Sequence, residues 1–440
     1  MSSPLAQPIH FERSGLTAPN AFLKSGAYSF SCRLECRRAD RRASAAMSER
    51  LCTWSNEDFD QRGKPTPAYI KLYEEWGKGD IGVIVLGNVP VNRTAPEAEH
   101  NAVIDKANVT ALSGDHFAHS AKPLLTISRT EQGSLVIAQL THAGRQTGET
   151  VNKEPVSSGD VLCPPMLGQT FRRPRPMTLQ EIDELVEAFG HAAEVLHKAG
   201  ADGAQLHAAH GRSFLPISPR YLLSQFLSGR VNNRTDDYGG SLENRSRVVF
   251  RIIAEIQKRV PKSFLLSIKI NSADFADGGL TFDECKILCQ RLDEAGLDLI
   301  ELSGGTYESL AWEHKSESTK AREAYFVEWS AQLRPVLKTA KLCCTGGFRT
   351  KRAMEQALTD GATQLIGLAR PTTADPYFCK KILDDTLGGG QELSHSMFAQ
   401  VVGSVAQIHA IANGQPIPDL SKPETMDAIM ASLAKGKEQK

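Results

Sequence analysis

Short runs rich in β-branched and apolar residues recur along the chain, each followed by room for one amphipathic helix. They are IGVIVLGN (81–88), SLVIAQL (134–140), DGAQLH (202–207), FLLSIKI (264–270), DLIELSG (298–304), KLCCTGG (341–347) and TQLIGLA (363–369). An N-terminal strand near 16–24 brings the number to eight. Parallel strands need a crossover between them, and a helix is the usual one, so this alternation predicts an α/β chain with helices outside a parallel sheet. Eight β-then-α units predict closure into a (β/α)8 barrel. An open doubly wound sheet is the alternative, but no GxGxxG follows the first strand. The expected organisation is one barrel domain over 15–385, insertions at 25–44 and 212–220, and a helical, charged C-terminal tail over 386–440.

The helical segments carry their own start signals. TLQEIDELVEAFGHAAEVLHKAG (178–200) places Ile182, Leu185, Val186, Phe189, Ala193 and Leu196 on one face, and Thr178 with Glu181 reads as a capping box. Thr281 and Glu284 repeat that signal before CKILCQRLDEAG. The stretch 143–177 is rich in Pro, Gly and Ser, and irregular segments of that length are commonly active-site lids or mobile loops.

Composition narrows the partners. With 440 residues and 41% hydrophobic content, the chain can bury a large core. Lys plus Arg total 51 and Asp plus Glu total 51, which leaves no charge footprint for nucleic acid or an anionic membrane surface. No run of about 18 apolar residues and no signal-peptide pattern is present. A cytoplasmic protein acting on small molecules is expected, with homo-oligomerisation left open. The 9 cysteines include no pair of CxxC motifs, so reduced thiols are expected.

In a barrel, chemistry gathers at the carboxyl ends of the strands. That rule places Asn88, Gln139 with His142, His207 with His210, Lys269 with Asn271, SGG (303–305), GGFR (346–349) and GLAR (367–370) on one rim. Glycines followed by Arg349 and Arg370 suit a phosphate, because backbone N–H groups can approach an anion there. Lys269 is either a surface lysine or a cation that stabilises an anionic reduced ring, as proteins do for flavins. His207 and His210 are open to packing, or to joint donation to one carbonyl oxygen. A metal is not expected, since no HExxH or comparable third ligand accompanies them.

HAAHG, YLLSQFLS and NNRTDDYGGSLENR together resemble the Old Yellow Enzyme family of FMN-dependent NAD(P)H oxidoreductases, also called ene-reductases. The likeness extends to AAMSERLCTW (45–54), GSLVIAQLTHAGRQ (133–146), SIKINSADF (267–275), GGFRT and GLARP, and spans roughly 15–385. It implies FMN at the mouth of a (β/α)8 barrel, with NADPH or NADH as hydride donor. By resemblance, Ser48 lies near the flavin N5 and O4 edge, Gly87 gives a close backbone approach, Gln139 bonds the pyrimidine ring and Lys269 sits near N1 and O2. Gly347, Arg349, Gly367 and Arg370 match the phosphate cradle, His207 and His210 the pair that binds the substrate carbonyl, and Tyr221 the proton donor.

The chain departs from the family in two places. In the family the tyrosine follows the HAAHG glycine directly, whereas here Arg212 to Arg220 intervene. The stretch 25–44 likewise separates the first strand from AAMSER. The implied activity is reduction of the activated C=C bond of an enone. An NAD(P)H oxidase, a specialised reductase or isomerase of secondary metabolism, and a flavin-binding barrel inactivated by the insertions are the alternatives.

Overall fold

Eight strands form the expected barrel: β1 Phe22–Lys24, β2 Val83–Pro90, β3 Leu135–Thr141, β4 Gly203–Ala208, β5 Leu265–Asn271, β6 Leu299–Ser303, β7 Lys341–Thr345 and β8 Leu365–Leu368. Each pairs in parallel with the next, and the ring closes through β8 and β1, where Ile366 faces Phe22 and Leu368 faces Lys24. A register shift between Leu86 and Val89 bends β2 as it reaches the rim. The computed structural model describes residues 2–25, 49–106, 133–165, 170–209, 221–274, 278–303, 327–390 and 397–438. Ser48, His210 and the insertion 212–220 lie outside the described residues, as does all of the first insertion except Ser25.

Period-two alternation along the strands sorts the barrel interior into layers. At the amino end, Leu23, Val83, Val85, Leu135, Ile137, Leu265, Leu299, Cys343 and Leu365 pack into one apolar cluster, plugged by Phe11 from the N-terminal hairpin. Two or four residues further along several of the same strands stand Gln139, Lys269, Glu301, Thr345 and Gly367. A dry base and a polar upper layer therefore follow from reading every second residue.

Outside the barrel run α1 Pro67–Gly77, α2 Leu179–Ala199, α3 Leu222–Leu227, α4 Leu242–Arg259, α5 Phe282–Glu294, α6 Val327–Leu333, α7 Lys351–Thr359, α8 Arg370–Ala374 and α9 Phe378–Leu383. Both anticipated capping boxes form, Thr178 with Glu181 on α2 and Thr281 with Glu284 on α5. The apolar face read for α2 is buried throughout. The described cysteines are free thiols, all buried.

Beyond the barrel come α10 Met397–Ala412 and α11 Pro423–Glu438. The first of these packs on α1 and α8 and buries Val402, Val405, Ile408 and Ile411. Gln400 accepts a hydrogen bond from Arg370, and Gln407 one from Thr373. This part of the tail is thus a further layer of the barrel wall. Among the described residues no helix is long and apolar enough to cross a membrane.

Candidate active site

A buried ion pair organises the upper layer of the barrel. Lys269 and Glu301 face each other across β5 and β6, with Nζ 2.9 Å from Oε1 and both side chains fully buried. Desolvating two charges is costly unless the remaining lone pairs and protons are matched. Here they are. Ser25 Oγ accepts from Lys269 at 2.6 Å and donates to Glu301 Oε1 at 2.6 Å, Thr345 Oγ1 donates to the same oxygen at 2.8 Å, and Gln205 Nε2 donates to Oε2 at 2.9 Å. Burial alone would raise the Glu301 pKa, but Lys269 and these donors hold it below the ordinary carboxylate value.

A second buried cluster closes the gap left by the first insertion. Lys24 Nζ, at the end of β1, lies 3.4 Å from Glu49 Oε1, 3.0 Å from the Val85 carbonyl and 4.1 Å above the Trp76 ring. Tyr73 donates its hydroxyl proton to Glu49 at 2.6 Å and accepts from the Gly87 N–H at 2.7 Å. Burial lowers the Lys24 pKa, with Glu49 opposing. A Cβ at Gly87 would stand 2.4 Å from the Glu49 carboxylate, so the close approach expected at that glycine is here made by Glu49.

His207, the next-to-last residue of β4, pairs with Lys269 of β5. Burial first, and the Lys269 charge second, push its pKa well below the usual value, so it is neutral at physiological pH. Tyr221 caps the start of α3 with its ring centroid 4.0 Å from that of His207. The nine intervening residues therefore leave the tyrosine against His207. Its backbone is held because the Leu222 N–H donates to the His142 carbonyl at 2.9 Å. Asn88 Nδ2 donates to the Tyr221 hydroxyl at 2.9 Å and to Glu97 Oε2 at 3.1 Å, and Arg50 lies 3.5 Å from the other Glu97 oxygen.

The described part of 143–177 includes packed wall. Arg145 is fully buried and donates to the Val161 carbonyl at 3.0 Å, while Gln225 of α3 accepts from Ser157 at 2.7 Å. On the far side of the rim, Gly346 and Gly347 have φ of 126° and 84°, which glycine adopts freely. Arg349, on the loop after β7, and Arg370, the first residue of α8 after β8, are half-buried, and the two strands are neighbours in the barrel. At Gly367 a Cβ would fall 1.7 Å from Thr345 Oγ1, so that glycine also makes room for a donor to Glu301.

Residues 60–386 match the model of the NADH:flavin oxidoreductase / NADH oxidase family. The chain belongs to this family, the Old Yellow Enzymes. It is 38% identical to the NADH-dependent flavin oxidoreductase nadA of Aspergillus parasiticus over 98% of this chain and 90% of that protein. It is 31% identical to the NADPH dehydrogenase of Bacillus subtilis over 75% of this chain and 87% of that protein. Its fold superposes on the old yellow enzyme homologue of Zymomonas mobilis with a TM-score of 0.64, at 19% identity, covering 87% of this chain and 93% of that one.

The chain is accordingly an NAD(P)H-dependent flavin oxidoreductase whose cofactor is FMN, and its rim fits that group. Gln139 Oε1 is fully buried and has no hydrogen-bond partner among the described residues. A ring N–H would complete it, as a buried acceptor requires. Lys269 supplies a cation on the neighbouring wall, and the glycine–arginine loops suit a phosphate.

Several residues that shape this rim escaped the sequence reading: Glu301, Gln205, Ser25, Thr345, and the Lys24, Glu49 and Tyr73 cluster. The available signal was a lone glutamate in the apolar run DLIELSG, a charge that must find a buried partner.

Proposed function

We propose that this Old Yellow Enzyme moves hydride from NAD(P)H, by way of FMN, to the activated C=C bond of an α,β-unsaturated carbonyl compound. The observation that carries the reading is the contact between neutral His207 and Tyr221, with Asn88 on the tyrosine hydroxyl. A neutral imidazole N–H and a phenol O–H stand side by side, which is the pair of donors that enone reduction needs.

Ser48, Gln139 and Lys269 would hold the isoalloxazine ring, and Gly347, Arg349, Gly367 and Arg370 the phosphate, whereas Gly87 is taken up by Tyr73 and Glu49. FMN supplies the two-electron carrier between nicotinamide and acceptor. His207, with His210, hydrogen-bonds the acceptor's carbonyl oxygen and so stabilises the charge that develops on it. Tyr221 delivers a proton to the α carbon. The Asn88 amide, donating to the same phenol oxygen, would stabilise negative charge left there when the proton departs.

The test is anaerobic absorbance of the FMN-loaded protein, with NADH or NADPH added first and 2-cyclohexenone second. Bleaching of the flavin band followed by recovery on adding enone is the expected result. Recovery only on admitting air would refute enone reduction and favour the oxidase reading.

A further inference from the structure

Glu301 is fully buried in the same layer as Gln139 and Lys269, and these two side chains assigned to the flavin both end on its carboxylate. Lys269 Nζ meets Oε1 directly. Gln139 meets Oε2 through a relay: Gln139 Nε2 donates to Gln205 Oε1 at 2.7 Å, and Gln205 Nε2 donates to Glu301 Oε2 at 2.9 Å.

Chemistry gives the relay a direction. An ionised carboxylate only accepts hydrogen bonds, so Gln205 must turn its NH2 toward Glu301 and its carbonyl toward Gln139. Gln139 must then spend its NH2 on Gln205 and present its carbonyl, the partnerless Oε1, to whatever occupies the rim. Reversing either amide would bring two NH2 groups or two carbonyls together.

Charge gives a second consequence. A fully buried lysine would raise the potential of an adjacent ring that becomes anionic on reduction. A carboxylate 2.9 Å from the same ammonium offsets most of that field.

We infer that Glu301 is a positioning residue that orients the Gln139 carbonyl toward the flavin and holds down the flavin's midpoint potential by neutralising Lys269. This rests on the flavin site proposed above.

The experiment is to measure FMN affinity and midpoint potential for the wild type, Glu301→Gln, Glu301→Asp and Gln205→Met, and for Glu301→Gln in a Lys269→Met background. Glu301→Gln removes the charge and frees the relay to reverse. It should favour reduced over oxidised FMN by about tenfold, a rise of about 30 mV for a two-electron couple. Glu301→Asp, which keeps the charge but draws it back from Lys269, should shift the potential the same way by less. It also serves if the glutamine variant does not fold. Gln205→Met should weaken FMN binding in both redox states and leave the potential in place. In the Lys269→Met background the carboxylate, fully buried and without its cation, takes up a proton and carries no charge for the glutamine to remove, so the Glu301→Gln shift should vanish.

A lower melting temperature with an unmoved potential in both Glu301 variants would mean a structural role alone and overturn the inference. A shift that persists without Lys269 would overturn it as well. Wild-type protein that binds no FMN would overturn the flavin reading of the rim and the inference with it, a result distinct from bound FMN with an unmoved potential.

Discussion

The Asn88 amide lies 2.9 Å from the Tyr221 hydroxyl, joining the end of β2 to the residue that opens α3, 133 positions later in the chain. Tyr221 follows a nine-residue insertion, and its position depends on this contact, on the His142 carbonyl beneath Leu222 and on the His207 ring. Tyr221→Phe should slow reoxidation of reduced flavin by an enone about 10²-fold or more, the usual worth of a positioned general acid. Asn88→Ala should slow the same step by about tenfold. Flavin reduction by NAD(P)H should be unchanged in Tyr221→Phe. Stopped-flow measurement of the two half-reactions separates these outcomes, and equal losses in both would refute the assignment.

His207 is neutral because it is buried beside Lys269. His207→Ala should weaken acceptor binding by about tenfold, the order expected for one hydrogen bond lost from a buried site. The neutral ring also predicts that enone-dependent reoxidation shows no histidine transition at the ordinary imidazole pKa near 6.5. A transition near pH 6.5 that disappears in His207→Ala would contradict the burial argument.

Acid stability should report on His142. Burial lowers its pKa from 6.5 to about 4, and its Nδ1 accepts a hydrogen bond from the Gly144 N–H at 3.1 Å. Above pH 6.5 the ring is neutral in both folded and unfolded chains, and no stability depends on it. As the pH falls from 6.5 toward 4 the unfolded chain takes up a proton that the folded one does not. Folding should weaken over that window by up to about 3 kcal/mol. A His142→Asn variant should lose this part of the pH dependence of thermal unfolding. An identical dependence in both proteins would place the acid-labile group elsewhere.

Gly367→Ala tests the packing of the upper layer. Its methyl would stand 1.7 Å from Thr345 Oγ1 and force that donor off Glu301. A destabilisation of about 1–3 kcal/mol is expected from overpacking a closed interior, together with reduced FMN content. Thr345→Ser in the same chain should restore little, because the Oγ1 that clashes is retained. Wild-type stability and flavin content in Gly367→Ala would show that the barrel accommodates the methyl.

The barrel was legible because its signals are local: strand runs bounded by glycines, and capping boxes at Thr178 and Thr281, all of which the chain realises. His207 and Lys269 were legible as residues at strand ends, and their pairing across β4 and β5 follows once the strands are adjacent. Glu301 was harder to read. Its partners are Ser25, Gln205, Lys269 and Thr345, which lie on four other strands or strand ends and become neighbours only when the ring closes. The wall-forming role of α10 was masked for another reason. Its segment was read together with the charged residues after it, although 397–412 by itself is strongly apolar.

Lys24 immediately precedes the inserted stretch 25–44 and Glu49 follows it five residues on, and their side chains meet inside the barrel wall with Tyr73. The gap is therefore bridged by the protein's interior, independently of how much chain runs between its edges. Lengthening a loop whose ends are already fastened costs only a logarithmic entropy. The part of the insertion after Ser25, whose hydroxyl is committed to Glu301, is thus a natural port, where sequence up to residue 44 could be trimmed, exchanged or grafted in as a reporter peptide while Lys24, Ser25 and Glu49 keep their seats.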